Sequence, residues 1–238
     1  NQTLILVDGI RLNNSTFRYG PNQYLNTIDQ FTIERIEVAK GTGSVQYGTD
    51  ALGGVIQVFT PEPGFLTKSN SSKQKKFGGT VVSKFVTGNM EQTVRAELNY
   101  SSSVIATTGG FTIRNFGDII GGDTTGKQSP SGYKEIACNA KLKFKLKSTV
   151  ELIVAHQFLR QQKVPVYHKV KLESFLLNEM NPQQRMLNYA KLKITNKNKW
   201  LQSVEFIASH QQNTEGRNSQ KNGSTMLRKE RDEVNTLG

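Results

Sequence analysis

The sequence holds a single cysteine, Cys138, which excludes an internal disulfide framework and any multi-cysteine zinc site. No window offers the ~18 or more continuous apolar residues that a membrane-spanning helix needs, and mean hydropathy is −0.50. That shortage excludes a helical membrane protein. It does not exclude a membrane β-barrel, whose strands alternate lipid-facing and lumen-facing side chains and therefore average low. Also absent are a G-x-x-x-x-G-K-[ST] phosphate loop, a G-x-G-x-x-G turn, an H-E-x-x-H pair, a paired-carboxylate signature and a nucleophile–base–acid trio. No enzymatic role, no metal site and no cofactor are therefore expected. No Met or leader precedes Asn1, and strand-like patterns run into both ends, so the expectation is a piece of a longer secreted precursor.

Acidic residues are in the minority, 19 Asp and Glu against 31 Lys and Arg, for a net charge of +12. Such a balance points to nucleic acid or an anionic membrane, and the positions of the charges decide between them. In "AKLKFKLK", 140–147, Ala140, Leu142, Phe144 and Leu146 share one face and Lys141, Lys143, Lys145 and Lys147 the other. No base-stacking aromatics are interleaved with the lysines, unlike single-strand-binding platforms. Nucleic acid is not expected as a partner.

The first 60 residues are dense in glycine and aliphatics. "TLILVDGIRLNN" reads as two strands around an Asp8-Gly9 turn, because both turn positions need positive φ. "IERIEVAK", 33–40, alternates, and in "GTGSVQYGTDALGGVIQVFT" Ser44 is a candidate cap for one helical turn before a strand from Val55 to Thr60, ended by Pro61. The glycines at 41, 43, 48, 53 and 54 read as turn glycines of a tightly folded α+β module. Residues 61–77, rich in Pro, Ser, Asn and Lys, read as a linker.

From Gly78 onward the pattern changes to long alternating strands, about eight, over 79–88, 92–103, 109–116, 140–147, 149–160, 186–196, 200–212 and 228–238. Several approach the ~9–11 residues that cross a bilayer at ~45° tilt. The connections at 147–148 and 196–199 are tight, whereas 117–134, 163–184 and 213–227 are long and polar, as in barrels with short periplasmic turns and long extracellular loops. Trp200 sits beside a short turn, where an interfacial aromatic belongs. The fold class is β-dominated: an α+β module at 1–60, a linker at 61–77, and antiparallel up-and-down transmembrane strands at 78–238.

Five elements stand in order: Leu6-Val7-Asp8-Gly9, Ile33 to Val38, Gly41, Ser44 with Tyr47-Gly48, and Ala51-Leu52-Gly53-Gly54-Val55-Ile56 through Thr60. Together they resemble the second half of the plug domain of TonB-dependent outer-membrane receptors. The resemblance implies a plug lodged in a barrel of ~22 strands, of which this chain would hold about the first third, in the outer membrane of a Gram-negative bacterium. It implies import of a scarce nutrient complex of the iron–siderophore, heme or cobalamin class, energised by the TonB protein. The TonB box and the first half of the plug would precede Asn1. Outer-membrane lipid and a metal-chelate or similar ligand would be the remaining partners. Eight strands alone would close only a narrow barrel with no room for a plug. A TonB-linked importer of glycan or peptide, working with a surface lipoprotein, is the alternative. A basic β-rich adhesin or nucleic-acid-binding protein is a third, marked by membrane-free solubility and salt-dependent DNA binding.

Candidate residues follow. The segment 14–24, "NSTFRYGPNQY", offers Phe17, Arg18, Tyr19 and Tyr24 for a bulky chelate at the plug apex, or merely fills space. Glu34, Arg35 and Glu37 either pair with the barrel wall, as the resemblance implies, or form a solvated strand face. Tyr167 and His168 are of the types that ligate heme, or are simply solvated in a surface loop. The lysine row 141–147 is either an electropositive path for anionic cargo or a hydrated lumen wall.

Overall fold

The computed structural model describes residues 3–12, 25–48, 51–66, 75–196 and 200–238. The chain begins with β1 (Thr3–Val7) and β2 (Ile10–Arg11), joined by a turn in which Asp8 and Gly9 have φ of 50° and 81°. That is the hairpin geometry their dipeptide demands. Two 3-10 turns, Leu25–Thr27 and Gln30–Thr32, lead to β3 (Arg35–Lys40), a one-turn helix α1 (Ser44–Tyr47) and β4 (Gly54–Phe59). These strands form a sheet in the order β2-β1-β4-β3, with β1 and β4 parallel. Ser44 proves to be the first helical residue, not the cap. Gly43 holds the cap position, with no side-chain hydrogen bond.

β1 is apolar from Leu4 to Val7 because both of its faces are covered. Leu4 and Leu6 pack with Ala51 and Val55 on one side. Ile5 and Val7 pack with Ile10, Leu12, Ile28 and Val58 on the other.

The second sheet contains β5 (Lys76–Val86), β6 (Glu91–Ser101), β7 (Ile105–Phe116), β10 (Tyr133–Lys147), β11 (Val150–Gln162), β13 (Phe175–Thr195), β14 (Ser203–Lys221) and β15 (Arg228–Leu237). Each pairs antiparallel with the next. The short β8 (Ile119–Ile120) and β9 (Lys127–Gln128) pair with each other, β12 (Val164–Pro165) joins β13, and α2 (Tyr167–Leu172) follows it. The connections 102–104 and 148–149, with the described residues 196 and 200–202 that follow β13 and precede β14, lie at one end of this sheet, the turn end; Trp200 is fully exposed there. The connections 87–90, 117–132, 163–174 and 222–227 lie at the other, the loop end.

Two expected loops are shorter than their composition predicts. Residues 175–184 of the first belong to β13, and 213–221 of the second to β14. The buried residues of these stretches, Asn178, Glu179 and Thr214, are polar, and Glu179 accepts a hydrogen bond from Asn218, so the apolar alternation that marks a strand disappears.

Candidate functional site

The two sheets meet along a face that shares one apolar core. Ile153 and Ala155 of β11 and Leu187 and Tyr189 of β13 are buried against Ile5, Val7, Ile10 and Val58 of the first sheet. The register Ala155↔Tyr189 and Ile153↔Lys191 places these residues on the inward face of the second sheet. Lys141 pairs with Ala155 in register and shares that face, so Leu142 and Phe144 point outward, away from the first sheet.

Two carboxylates of the first sheet's module anchor the contact. Asp8 is 6% exposed. Its Oδ2 accepts the Tyr189 hydroxyl at 2.8 Å and the Thr60 hydroxyl at 2.6 Å, while Oδ1 accepts the Thr60 N–H at 2.9 Å. The Lys141 ammonium lies 3.4 Å from Oδ2 and donates to Thr60 Oγ1 at 2.6 Å. Lys191 donates to the Asp8 carbonyl oxygen. A carboxylate so placed is tolerated because the cation and donors replace its lost hydration.

Asp29 caps the second 3-10 turn, accepting the Phe31 N–H at 3.1 Å on Oδ1. The same carboxylate receives Arg114 Nη2 at 2.9 Å, the Thr112 hydroxyl at 2.7 Å and Arg95 Nη1 at 3.3 Å, all from the second sheet. Arg114 Nη1 continues to Glu135 Oε1 at 2.9 Å, and Gln161 donates to the other Glu135 oxygen at 2.7 Å. Arg95 is fixed further by Glu97 at 2.8 Å and Asn139 at 2.9 Å. Gly110 makes the space: a Cβ there would collide with the Arg95 guanidinium. Lower on the wall, Lys143 bridges Glu62 and Glu151. Of the lysine row, Lys141 and Lys143 tie down the segment after β4 that carries Thr60 and Glu62, while Lys145 and Lys147 are exposed.

Glu34, Arg35 and Glu37 lie exposed at the edge strand β3 and the residue before it. Arg35 pairs with Glu37 at 2.8 Å and Glu34 at 3.7 Å and stacks over the Phe59 ring. The described ion pairs between the two sheets run through Asp8, Asp29 and Glu62. Phe17, Arg18, Tyr19 and Tyr24 lie outside the described residues. The bracketing residues touch the second sheet: Gln211 donates to the Leu12 carbonyl and Gln161 to that of Asn26. Tyr167 is half-buried and His168 exposed on α2, at the loop end. Among the described residues no cluster of three His, Cys, Asp or Glu is disposed to hold a metal ion.

A small sheet seated on the inner wall of a long antiparallel sheet is the arrangement of a plug in a barrel. Residues 1–55 match the family model of the TonB-dependent Receptor Plug Domain. That match and the relatives below support a TonB-dependent receptor fragment. It is 37% identical over 110 residues to the vitamin B12 transporter BtuB of Vibrio vulnificus, covering 46% of this chain and 15% of that protein. It is 35% identical over 82 residues to the ferric enterobactin receptor of Pseudomonas aeruginosa, covering 32% and 11%. The chain therefore spans well under a fifth of the curated relatives it matches. Among solved structures, the copper transporter OprC superposes with a TM-score of 0.75 at 14% identity, over 99% of this chain and 34% of that one. A mutant ferric enterobactin receptor from Pseudomonas aeruginosa, in complex with enterobactin, gives 0.67 at 18%, over 99% and 38%. These likenesses show the fold. The relatives are outer-membrane β-barrel transporters and receptors, and the outer membrane is the location that these matches support for this fragment.

Proposed function

We propose that this chain is the plug-and-wall region of a receptor that imports a scarce nutrient complex of the iron–siderophore, heme or cobalamin class. Residues 1–60 act as plug, 61–77 as linker and 78–238 as the opening part of the barrel. One observation carries the reading: two buried carboxylates of the plug sheet, Asp8 and Asp29, are held by cations of the wall, Lys141, Arg95 and Arg114. A plug held this way is fixed at rest. Its polar ties are hydrogen bonds and ion pairs that water can replace, so force transmitted by TonB would have to break these and also part the apolar seam between Ile5, Val7 and the wall residues Leu187 and Tyr189. Relatives named for vitamin B12 and ferric enterobactin support the cargo range. In this reading the turn end faces the periplasm and the loop end the cell surface. The α2 pair Tyr167 and His168 at that end are candidates to meet cargo, and so are Phe17, Arg18, Tyr19 and Tyr24 of the 14–24 segment. Glu34, Arg35 and Glu37 are candidates to meet wall beyond β15.

The test is uptake by cells. A strain lacking the receptor gene should lose accumulation of labelled vitamin B12, a ferric siderophore or heme, and regain it with the wild-type gene only while TonB is present. Accumulation that persists without TonB would rule the reading out.

A further inference from the structure

The outward face of the second sheet is mostly apolar, as a lipid-facing wall must be, but one row across it is polar. Lys141, Leu187 and Gln211 face the plug, so Ala140, Asn188 and His210, each beside one of them in the chain, point outward. Register puts Ala140 beside His156, His156 beside Asn188, and Asn188 beside His210. His156 is the central residue of β11, with Val154 on its turn-end side and Phe158 on its loop-end side along the same face. Asn188 likewise lies between Ala190 and Met186. Half of β11 at ~3.3 Å per residue and ~45° tilt places His156 about 14 Å from either end of the strand, near the middle of an apolar band ~25 Å tall.

The row is only partly satisfied from within. His156 Nδ1 lies 2.7 Å from Asn188 Oδ1, and His210 Nε2 lies 3.3 Å from Asn235 Oδ1. The second ring nitrogen of each histidine and the Asn188 amide nitrogen have no partner among the described residues. They border a concavity of about 550 Å³ in the outer face of the wall, opened by the small side chains of Ala140, Ala190 and Ala208. Polar groups at this depth are costly unless a partner supplies hydrogen bonds. Acyl chains carry neither donor nor acceptor, and headgroups lie at the edges of the band. The occupant therefore spans the same membrane and presents hydrogen-bonding groups at the same depth.

A second copy of the receptor meets that requirement with no further component. A two-fold axis along the membrane normal sets each residue against a surface at its own depth, so the row meets the row. Imidazole and carboxamide each hold a donor and an acceptor, which makes the row complementary to itself. The flanking alanines let the two backbones approach, as small residues do between membrane helices. We infer that the outward face at His156, Asn188 and His210 is a homodimer interface of the receptor within the outer membrane. The inference rests on the barrel fold and its outer-membrane location, not on import, so the uptake experiment can succeed or fail without deciding it.

In outer membranes, with the full-length receptor carrying Cys138→Ser to remove the native thiol, Ala190→Cys or Ala208→Cys should crosslink to its like through a short bis-maleimide. Val81→Cys, outward on the distant strand β5, should not. The purified receptor is also sized in mild detergent by sedimentation over a range of concentrations. There His156→Leu/Asn188→Leu/His210→Leu should dimerise roughly tenfold more weakly or worse than wild type. Heat-modifiable gel mobility should show that variant folded, since its lipid face has only become more apolar. His156→Gln/His210→Gln keeps a donor and an acceptor at each position and should stay dimeric. Absence of a self-crosslink at both alanines overturns the inference, whatever the state in detergent. A self-crosslink that persists undiminished in the folded triple Leu variant overturns it too. Crosslinking of the alanine positions to a different protein alone makes that protein the occupant and likewise overturns the homodimer.

Discussion

Arg114 joins plug to wall: one guanidinium nitrogen lies 2.9 Å from Asp29 of the plug and the other 2.9 Å from Glu135 of β10. The wall strands β7 and β10 are themselves bonded through this residue, so the plug is fastened to a point already fixed by two strands. Arg114→Ala leaves two buried carboxylates without that cation, and breaking such a network costs about 3–5 kcal/mol. In the full-length receptor the amide protons of 25–32 should exchange faster while those of β10 and β11 change little. Arg114→Lys should recover only part of the loss, because an ammonium cannot fork between two carboxylates as a guanidinium does. Unaltered exchange at 25–32 in the Ala variant would show that Asp29 does not hold the plug.

The outward face of β10 allows a contrast on a single strand. Leu142 points away from the plug and Lys143 towards it, where it bridges Glu62 and Glu151. Leu142→Arg places a charge on the lipid side, at a cost of ~2–4 kcal/mol near mid-bilayer. It should reduce the yield of folded, heat-modifiable receptor far more than Lys143→Gln, whose partners are partly exposed. Equal yields would contradict the assignment of faces.

Much of this architecture could be read from the residues. The Asp8-Gly9 turn, the α+β module and strands such as β10 follow from local chemistry, namely positive-φ turn residues and period-two alternation. The partners of Asp29 do not, since Arg95, Thr112 and Arg114 lie 66 to 85 residues away and no motif surrounds Asp29 itself. Alternation also fails on β11. Ile153 and Ala155 are apolar on the inward face because the plug covers them, and Val154 is apolar on the outward face, so neither face reads as polar. The charges of 34–37 stood out in the sequence because they are clustered. Asp8 and Asp29, the buried carboxylates that reach the wall, stand singly, each beside a turn.

Gly54 opens β4 with φ of +142°, and a Cβ there would sit 2.7 Å from the Ala39 carbonyl oxygen on β3. Gly54→Ala therefore combines backbone strain with a backbone clash, and should cost about 1–3 kcal/mol. The expected outcome is a plug that melts or is cleaved by protease at lower temperature, with the barrel unaffected. Gly64→Ala, where a Cβ meets nothing within 4 Å, is the matched control and should behave as wild type.

The long connection after β7 is closed by Asp118, whose Oδ1 accepts the N–H of Ser131 at 2.8 Å and of Gly132 at 3.0 Å. The Ser131 N–H, then the Gly132 N–H, hold its carboxyl down at about 2, against an ordinary value of 3.8. A lowered folded-state value means that the charged form is the one the loop favours, so the clasp is fully present above pH 3.8 and is lost as pH falls towards 2. Lys127, 3.5 Å from Oδ2 and exposed, adds a salt-sensitive share. Amide exchange at Ser131 and Gly132, corrected for the intrinsic acid dependence, should show protection that declines between these two values. Asp118→Asn keeps an oxygen acceptor but no charge, so protection should be weaker throughout and flat across that window. A pH-dependent loss that survives in the Asn variant would place the titrating group elsewhere in the loop.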